Sequence, residues 1–320
     1  MVKTTSYLKT KWWHFKDKYA NRYIPKIKFI RSSEATNNVD AANDAIFKLL
    51  RAEGPCMISR FGTTEYECIC NYSKSIHPFW LFRTFFPFWI PPHVTENMVN
   101  CSGFFPNRNY HYSLFSDIYR NSARETDILG YWNAYDYFFE NECHYTKYYI
   151  DDLYPFFATH PWTSALKGKR VLVVHPFKDT ILEQYKKRNQ LFDNPEMLPE
   201  FESLRVVKAV QSLGGENNGF ATWFDALKYM EDEIDREDYD VAILGCGAYG
   251  MPLAAHCKRM GKKAVHIGGA TQLLFGIAGD RWLNHFGEDY HRLCSHANWV
   301  RPSSSDRPKN ADKVENACYW

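Results

Sequence analysis

Short apolar runs alternate with segments of helical hydrophobic spacing over most of the chain, and this alternation restricts the fold more than any other feature. The apolar runs occupy residues 56–61, 127–132, 170–175, 204–210, 239–244 and 263–268. Apolar residues at helical spacing lie before and between them, at 38–52, 178–192, 219–236 and 250–261. Strands that alternate with helices are typical of a parallel sheet covered on both faces. The sequence therefore predicts an α/β fold with a Rossmann-like, mostly parallel and doubly wound sheet.

The chain divides into three parts by composition. Residues 1–32 carry nine Lys and Arg side chains against one acidic side chain, with Trp and Tyr among them. A packed terminal helix and an anchor on an anionic membrane surface both agree with such a basic-aromatic arm. Residues 33–300 are predicted to form one Rossmann-like domain, with an insertion at about 71–125. Residues 301–320 are rich in Ser, Pro and charged residues, which predicts a flexible tail.

The predicted insertion contains an aromatic-rich segment. Residues 77–93 hold seven Phe and Trp and four Pro, in a chain whose aromatic content is 17%. This segment is too short and too often interrupted by proline to span a bilayer. It is expected to form either a small core under the insertion or an exposed apolar patch for an acceptor or a lipid.

Charge and cysteine content exclude several classes of protein. The net charge is only +2, so no electrostatic footprint for nucleic acid is present. The nine cysteines are odd in number and form no Cys-x2-Cys pair, so neither a zinc site nor a disulfide framework is indicated. No secretory signal or transmembrane helix is recognisable. The sequence therefore predicts a cytoplasmic protein, with contact at the inner face of the cell membrane left open.

A glycine-rich turn follows the apolar run at 239–244. Gly245, Gly247 and Gly250 form a G-x-G-x-x-G pattern that opens a helix, with Tyr249 inside it. Such a turn lets backbone N–H groups approach an anion at a helix N-terminus. A dinucleotide site would also need an acidic residue at the end of the next strand, but the first acid after the motif is Asp280. Phosphate binding and simple close packing of helix on strand remain as the two interpretations.

Two more strand ends carry polar or glycine-rich turns. Carboxyl ends of parallel strands meet at one edge of a sheet, where α/β proteins bind ligands. These turns therefore predict a cleft that could take a nucleotide diphosphate, although each could also be a plain helix cap. The candidate binding residues are His175, Lys178 and Thr180 after the third strand, and His266, Gly268, Gly269 and Gln272 after the last one.

The first predicted strand ends in a turn with two charged residues. Arg60 and Glu65 bracket Gly62 and Thr63. An arginine beside a carboxylate suits a site that handles a phosphate and a hydroxyl nucleophile. A structural ion pair is the alternative interpretation.

Four of these motifs together resemble a known family. They are Arg-Phe-Gly-x-x-Glu on the first strand, the Lys-Gly-Lys-Arg-Val-Leu-Val-Val-His-Pro-Phe run around 168–177, Gly-Cys-Gly-Ala-Tyr-Gly at 245–250, and His-Ile-Gly-Gly-x-x-Gln-Leu-Leu-Phe-Gly-Ile at 266–277. In this combination the chain resembles the bacterial glycosyltransferases of the GT-D fold over roughly residues 40–283. The resemblance implies a Rossmann-like transferase of nucleotide sugars that acts on a surface polysaccharide, lipid-linked or glycoprotein glycan.

The first-strand motif departs from the family pattern at two positions. The family has Arg-Phe-Gly-Asp-Gly-Glu, whose Asp-x-Glu is associated with a metal and the sugar nucleotide. Here Thr63 stands in place of the Asp and Thr64 in place of the Gly. Glu65 is the one carboxylate carried over as a metal ligand, so dependence on divalent manganese or magnesium stays open.

The resemblance implies a role for each group. The glycine turns and Lys178 would hold the diphosphate of the donor, expected to be a UDP-sugar, and Arg60 would offset the charge of the leaving group. Glu65 would ligate a metal or act as the base on the acceptor hydroxyl. The alternative is a non-catalytic nucleotide- or glycan-binding component of a polysaccharide assembly complex, in which Thr63 marks the loss of activity.

Overall fold

A single seven-stranded sheet organises the part of the chain that the structure describes. The computed structural model describes residues 38–76, 90–132 and 143–306. The strands are β1 (Cys56–Arg60), β2 (Ile128–Tyr131), β3 (Thr146–Tyr149), β4 (Arg170–His175), β5 (Ser203–Lys208), β6 (Val241–Leu244) and β7 (Lys263–His266). They are all parallel and lie in the order β3-β2-β1-β7-β6-β4-β5. The predicted Rossmann-like, doubly wound α/β fold is confirmed.

Helices cover both faces of this sheet. They are α1 (Val39–Arg51), α2 (Thr63–Ile76), α3 (Pro92–Asn100), α4 (Asn109–Arg124), α5 (Lys178–Tyr185), α6 (Trp223–Asp235), α7 (Gly250–Arg259), α8 (Asp280–Asn284) and α9 (Glu288–Cys294). Strand β4 shows the two-sided burial: Leu172 and Val174 belong to one apolar core, and Val171 and Val173 to the other. Alternate side chains of a strand point to opposite faces, so each face needs its own helical layer.

The two cores contain different helices. Helices α2, α4, α6 and α7 pack on the first face, with Phe115 and Met230 fully buried there. Helices α1 and α5 pack on the second, together with the 3-10 segments Trp162–Leu166 and Gly268–Phe275. The carboxyl ends of all seven strands consequently emerge at one edge between the two helical layers.

Short polar motifs fix where several helices begin. Asn38 caps α1, because its side-chain oxygen accepts a hydrogen bond from the amide of Ala41 at 3.0 Å. Thr222 and Asp225 form a reciprocal capping box at α6. The helix expected at 219–236 therefore begins at Trp223, after Gly219 with its φ of +85°.

The region expected to be an insertion is part of the main core. Parallel strands β1 and β2 require a crossover connection, and α4 belongs to that crossover. Its side chains Tyr112, Phe115 and Tyr119 are buried against the sheet-covering helices. The sequence pattern did not predict α4, because its apolar positions are aromatic and are interrupted by polar residues. Residues 1–37 and 77–89, which carry the basic-aromatic arm and most of the aromatic segment, lie outside the described residues.

Three further features differ from expectation: an additional strand, the end of a helix, and the packing of the first tail residues. Strand β3 was not predicted, because its sequence Thr-Lys-Tyr-Tyr lacks an apolar run and it pairs on one side only, with β2. The helix expected at 178–192 ends at Tyr185. The beginning of the predicted flexible tail is packed, since Asp306 is buried and accepts a hydrogen bond from the hydroxyl of Thr180 at 2.6 Å. Residues 307–320 lie outside the described residues.

In the described ranges, none of the helices combines the length and the apolar character that crossing a membrane requires.

Candidate functional site

A cavity of about 390 Å³ opens at the carboxyl edge of the sheet. Residues at or just after the carboxyl end of each of the seven strands contribute to its wall. They include Arg60, Trp132, Asp151, His175, Ser212, Gly247 and Gly268, in strand order β1, β2, β3, β4, β5, β6 and β7. Its volume lies in the usual range of small-molecule sites, and ligands of open α/β sheets bind at this edge. The fold thus collects the predicted turns around one space.

The β1 turn brings Arg60 against the turn after β7. The Nε of Arg60 donates a hydrogen bond to the backbone carbonyl of Phe61 at 3.0 Å. A Cβ atom on Gly268 would lie 2.8 Å from Nη1 of Arg60. The guanidinium group therefore lies directly on the glycine turn, and a side chain at this position would displace it. Both residues line the cavity, as do Gly62, Thr63 and Gly269.

Glu65 lies in the first turn of α2 and folds back over the β1 turn. A Cβ atom on Gly62 would overlap Oε2 of Glu65, so only glycine leaves room for the carboxylate in this position. Glu65 is 7% exposed and lines the cavity, whereas Thr63 is exposed. The glycine of the Arg-Phe-Gly motif thus positions a carboxylate on the β1 turn, in the same cavity wall as Arg60.

The G-x-G-x-x-G turn contains one glycine that faces open space. Gly247 has a φ of +58°, and no atom lies within 4 Å of the place that its Cβ would take. It begins a 3-10 turn that leads into α7, a helix of ten residues. The first N–H groups of a helix have no partner within the helix and favour an anion. This corner of the cavity therefore suits a phosphate group.

The other two glycines of this motif serve close packing. A Cβ atom on Gly245 would lie 2.6 Å from both His175 and Thr271. A Cβ atom on Gly250 would overlap the ring of His266, and Gly250 does not line the cavity. The structure therefore assigns Gly250 to the approach of α7 to β7 rather than to ligand binding.

Tyr249 stabilises the same turn through contacts in the core. Its hydroxyl lies 2.9 Å from the hydroxyl of Ser212, which itself donates to the carbonyl of Gly103 at 2.6 Å. The ring of Tyr249 stacks on Trp223, with centroids 4.7 Å apart and planes at 7°. Tyr119 adds a hydrogen bond of 2.5 Å to the carbonyl of Ala248. These supports come from α4, α6 and the loop after β5, and no motif in the sequence marked them.

Two buried histidines lie behind the glycine turns. His175 accepts a hydrogen bond at Nδ1 from the amide of Phe177 at 3.1 Å, so its neutral ring carries the proton on Nε2. Nδ1 of His266 lies 3.0 Å from the hydroxyl of Ser59. Burial lowers the pKa of each ring from 6.5 to about 3, and the charge of Arg60 contributes at His266. Both rings line the cavity as neutral groups at physiological pH.

We expect the free energy of unfolding to fall as the pH drops below 6.5. An unfolded histidine takes up a proton near pH 6.5, whereas the folded rings of His175 and His266 stay neutral down to about pH 3. The unfolded state binds more protons in this window, so stability is lost with falling pH. The loss by pH 5 is about 2 kcal/mol for each histidine, and urea unfolding at pH 7 and pH 5 measures it.

Two variants check the origin of this pH dependence. His175→Gln should make the loss smaller by about 2 kcal/mol, and His160→Gln on the surface should leave it unchanged. NMR titration of the imidazoles provides a direct reading. Protonation of the His175 or His266 ring near pH 6.5 in the folded protein would contradict the lowered pKa values of these two groups.

Besides Gly250, two of the predicted binding residues do not reach the cavity, and another is committed to the fold. Lys178 begins α5 but is not part of the cavity wall. Thr180 is buried, and both its hydroxyl and its backbone amide donate a hydrogen bond to Oδ2 of Asp306. Gln272 lines the cavity, but it is 1% exposed and its Nε2 donates to the carbonyl of Ile277 at 3.0 Å. The hydroxyl of Thr180 thus binds the tail rather than a ligand.

Sequence reasoning missed the opposite end of the cavity. Asp151 follows β3 there, and burial together with the neighbouring Asp152 raises its pKa to about 6, against the opposing effect of Arg281. Aromatic side chains complete this end, namely Trp132, Tyr154, Trp282 and Phe286. Recognition of β3 would have marked Asp151 as a residue at a strand end, but the sequence of that strand carries no apolar run.

The residues at the β1 turn do not form a metal site of their own. In the described ranges 38–76, 90–132 and 143–306, no group of three or more His, Cys, Asp and Glu is placed to hold a metal ion. The turn offers one carboxylate, Glu65, with the neutral hydroxyls of Thr63 and Thr64 and the cationic Arg60 nearby. A divalent ion prefers several anionic oxygen ligands, so this donor set does not fit one, and no chemical step is derived through a metal.

No protein-family model matches the chain, and no curated protein or solved structure matches it either.

Proposed function

We propose that this protein is a glycosyltransferase that moves a sugar from a nucleotide-diphosphate donor to a hydroxyl group of a glycan. The expected donor is a UDP-sugar. One observation carries the proposal. Arg60 and the glycine turns at Gly247 and Gly268 converge on one cavity at the carboxyl edge of a parallel sheet. The same residues belong to the motifs that resemble glycosyltransferases of the GT-D fold.

The diphosphate is placed at the corner between Arg60 and the two glycine turns. Gly247 and Gly268 both have φ near +60°, and both line the cavity. Backbone N–H groups at such turns can approach phosphate oxygens closely. The guanidinium of Arg60 presents a planar pair of donors to the same oxygens.

The chemistry of the transfer makes Arg60 the main stabilising group. The bond between the anomeric carbon and the phosphate oxygen breaks, and the diphosphate leaves with the electron pair and an added negative charge. A fixed cation in a site shielded from water stabilises that charge more strongly than water does. The neutral rings of His175 and His266 add no competing charge, because burial keeps their pKa values at about 3.

Glu65 is assigned to the donor sugar. Its carboxylate lies on the backbone of the β1 turn and belongs to the same cavity wall as Arg60. A carboxylate accepts hydrogen bonds from sugar hydroxyl groups without needing a metal. It thereby orients the ring whose anomeric carbon is attacked.

The place of action is also a proposal. A surface polysaccharide, lipid-linked or glycoprotein glycan would be glycosylated on the cytoplasmic side, at the inner face of the cell membrane. The basic-aromatic arm at 1–32 and the aromatic segment at 77–93 would attract anionic lipid headgroups and settle at the interface. Binding of the full chain to anionic vesicles, weakened by salt and by removal of residues 1–32, would support this location.

We expect purified protein to bind UDP and to hydrolyse at least one UDP-sugar slowly in the absence of an acceptor. Calorimetry measures the affinity for UDP, and release of UDP from UDP-glucose, UDP-galactose and UDP-N-acetylglucosamine measures turnover. Arms with and without manganese determine whether a metal is needed. Binding of UDP without turnover in either arm would favour the alternative, a non-catalytic nucleotide-binding component, and failure to bind UDP would reject the nucleotide site altogether.

A further inference from the structure

The end of the cavity farther along the sheet, beyond β1, has a chemistry of its own. Asp151 follows β3, and Trp132 follows β2. The short helix α8 adds Arg281 and Trp282 to the same wall. Strands β2 and β3 occupy one side of β1, whereas β7 and β6, which carry the glycine turns, occupy the other side. The cavity thus extends from a phosphate-binding corner to an aromatic and acidic end.

Aromatic rings form a cluster at this end, and its half-buried member in the cavity wall is Phe286. The ring of Trp282 lies 4.4 Å from that of Phe286 and 5.3 Å from that of Tyr290, between centroids. Tyr154 approaches Trp282 edge-on at 6.4 Å. Aromatic faces combine a large apolar area with polar groups at the edge, which suits a molecule with both C–H and O–H surfaces.

Two polar groups of this cluster lack partners. Among the residues that the structure describes, neither the indole Nε1–H of Trp282 nor the hydroxyl of Tyr290 has a hydrogen-bond partner, although both are buried. The indole of Trp132, by contrast, donates to the carbonyl of Phe61 at 2.9 Å. The indole N–H of Trp223, in the core on the other face of the sheet, also lacks a partner, so this feature does not by itself mark a ligand site. The indole N–H of Trp282 and the hydroxyl of Tyr290 are enclosed, and the half-buried Phe286 in the cavity wall is the ring of this cluster that a ligand can contact.

Asp151 is the carboxylate of this end. Its charged and titratable neighbours are Asp152 and Tyr149 along the chain, Arg281 from α8 and Tyr290 from α9. Asp152 is committed to the fold, because its Oδ2 accepts a hydrogen bond from the amide of Asn38 at 3.0 Å. Burial and the charge of Asp152 raise the pKa of Asp151 to about 6, which is close to the range where a carboxylate serves as a general base.

We propose that this end of the cavity is the acceptor subsite, where a sugar ring contacts Phe286 and Asp151 accepts the proton of the attacking hydroxyl. The inference rests on the proposed function, in which the glycine turns hold the donor. In the transfer step the acceptor oxygen forms a bond to the anomeric carbon of the donor, and the bond from that carbon to the diphosphate breaks. The proton of the hydroxyl passes to the carboxylate of Asp151, and the electron pair leaves with the diphosphate. Glu65 then binds the donor sugar and is not the base.

The first test compares Asp151→Asn with Asp152→Asn. Both remove one negative charge from adjacent positions, and an Asn at 152 can still accept from Asn38. Turnover of the most active of the three UDP-sugars, with water as the acceptor, should fall about 100-fold or more in Asp151→Asn. The affinity for UDP should stay unchanged in both variants.

The pH profile separates a proton acceptor from a structural carboxylate. Turnover by the wild type should rise with pH through about 6 as Asp151 loses its proton. In Asp152→Asn the midpoint should move to lower pH, because the negative neighbour that raises the pKa of Asp151 is gone. An Asp151→Asn variant with wild-type turnover overturns the inference, and so does a wild type that binds UDP but releases none from a UDP-sugar. A wild type that does not bind UDP overturns the proposed function itself.

The second test uses Phe286→Leu, which removes the aromatic ring and keeps an apolar side chain. The melting temperature should change little, because Phe286 is only half-buried. Methyl glycosides of glucose, galactose and N-acetylglucosamine serve as acceptor probes, measured by saturation-transfer NMR on UDP-saturated protein. The affinity for the bound glycoside should fall about 2- to 10-fold, the loss expected when one aromatic contact is removed. Unchanged glycoside affinity, a wild type that binds none of them, or a loss of UDP affinity instead would each overturn the assignment.

Discussion

Arg60→Ala is expected to lower the kcat/KM of UDP-sugar turnover by about 100- to 1,000-fold, the usual effect of removing one preorganised group that stabilises developing charge. The guanidinium lies on the Gly268 turn and faces the corner assigned to the diphosphate. The variant should also bind UDP more weakly, because the charge on the bound diphosphate loses the same partner. Steady-state release of UDP and calorimetry measure the two effects.

Two further arginine variants test whether position and shape matter, besides charge. Arg205 on β5 is exposed and makes only a loose ion pair of 3.9 Å with Glu237, so Arg205→Ala should leave turnover unchanged. Arg60→Lys keeps the charge but loses the planar pair of donors, and should recover only part of the activity. Full activity in Arg60→Ala, with an unchanged melting temperature, would place the diphosphate elsewhere.

Trp223→Ala is expected to lower the free energy of unfolding by about 3–5 kcal/mol, as is usual for loss of a large buried aromatic side chain. Trp223 is fully buried in α6, stacks on Tyr249 and meets Phe115 of α4 edge-on at 5.2 Å. Its removal leaves a cavity behind the glycine turn, so turnover should fall together with stability. Urea unfolding and UDP release measure the two losses.

The same helix provides matched controls. Tyr229→Ala removes a side chain that is 42% exposed and should change the free energy of unfolding by about 0.5 kcal/mol or less. Trp223→Phe should cost far less than Trp223→Ala, because the indole N–H of Trp223 has no hydrogen-bond partner in the described part of the chain. Equal losses in Trp223→Ala and Tyr229→Ala would show that the turn does not depend on this aromatic stack.

The convergence of the glycine turns could be predicted because of a simple geometric rule. Parallel strands end at the same edge, so residues that follow different strands meet there whatever their distance along the chain. Arg60 after β1 and Gly268 after β7 are neighbours for this reason. The role of each glycine could not be predicted in this way. Gly247 faces open space whereas Gly250 faces a histidine ring, and only the packing of α7 distinguishes them.

The failures of prediction share a physical cause as well. Strand β3 forms on an edge and gains its stability from pairing with β2 rather than from apolar side chains of its own. Without that strand, Asp151 is an ordinary acid in a loop. Thr180 was predicted to donate its hydroxyl to a ligand, but it donates to the buried Asp306 instead. Asp306 lies far along the chain, so no local sequence pattern indicates this contact.

The sequence by itself determined the elements that depend on local periodicity: six of the seven strands, the parallel α/β class, and the turns that carry Arg60, Glu65 and the glycines. Hydrophobic period and glycine placement are properties of neighbouring residues, so they can be recognised without the fold. Tertiary structure alone decided the pKa values of His175 and Asp151, because burial sets them. It also determined that the indole N–H of Trp282 has no partner among the described residues, and that α8 and the residues after β3 line the same cavity. Those arrangements involve residues that are far apart in the sequence.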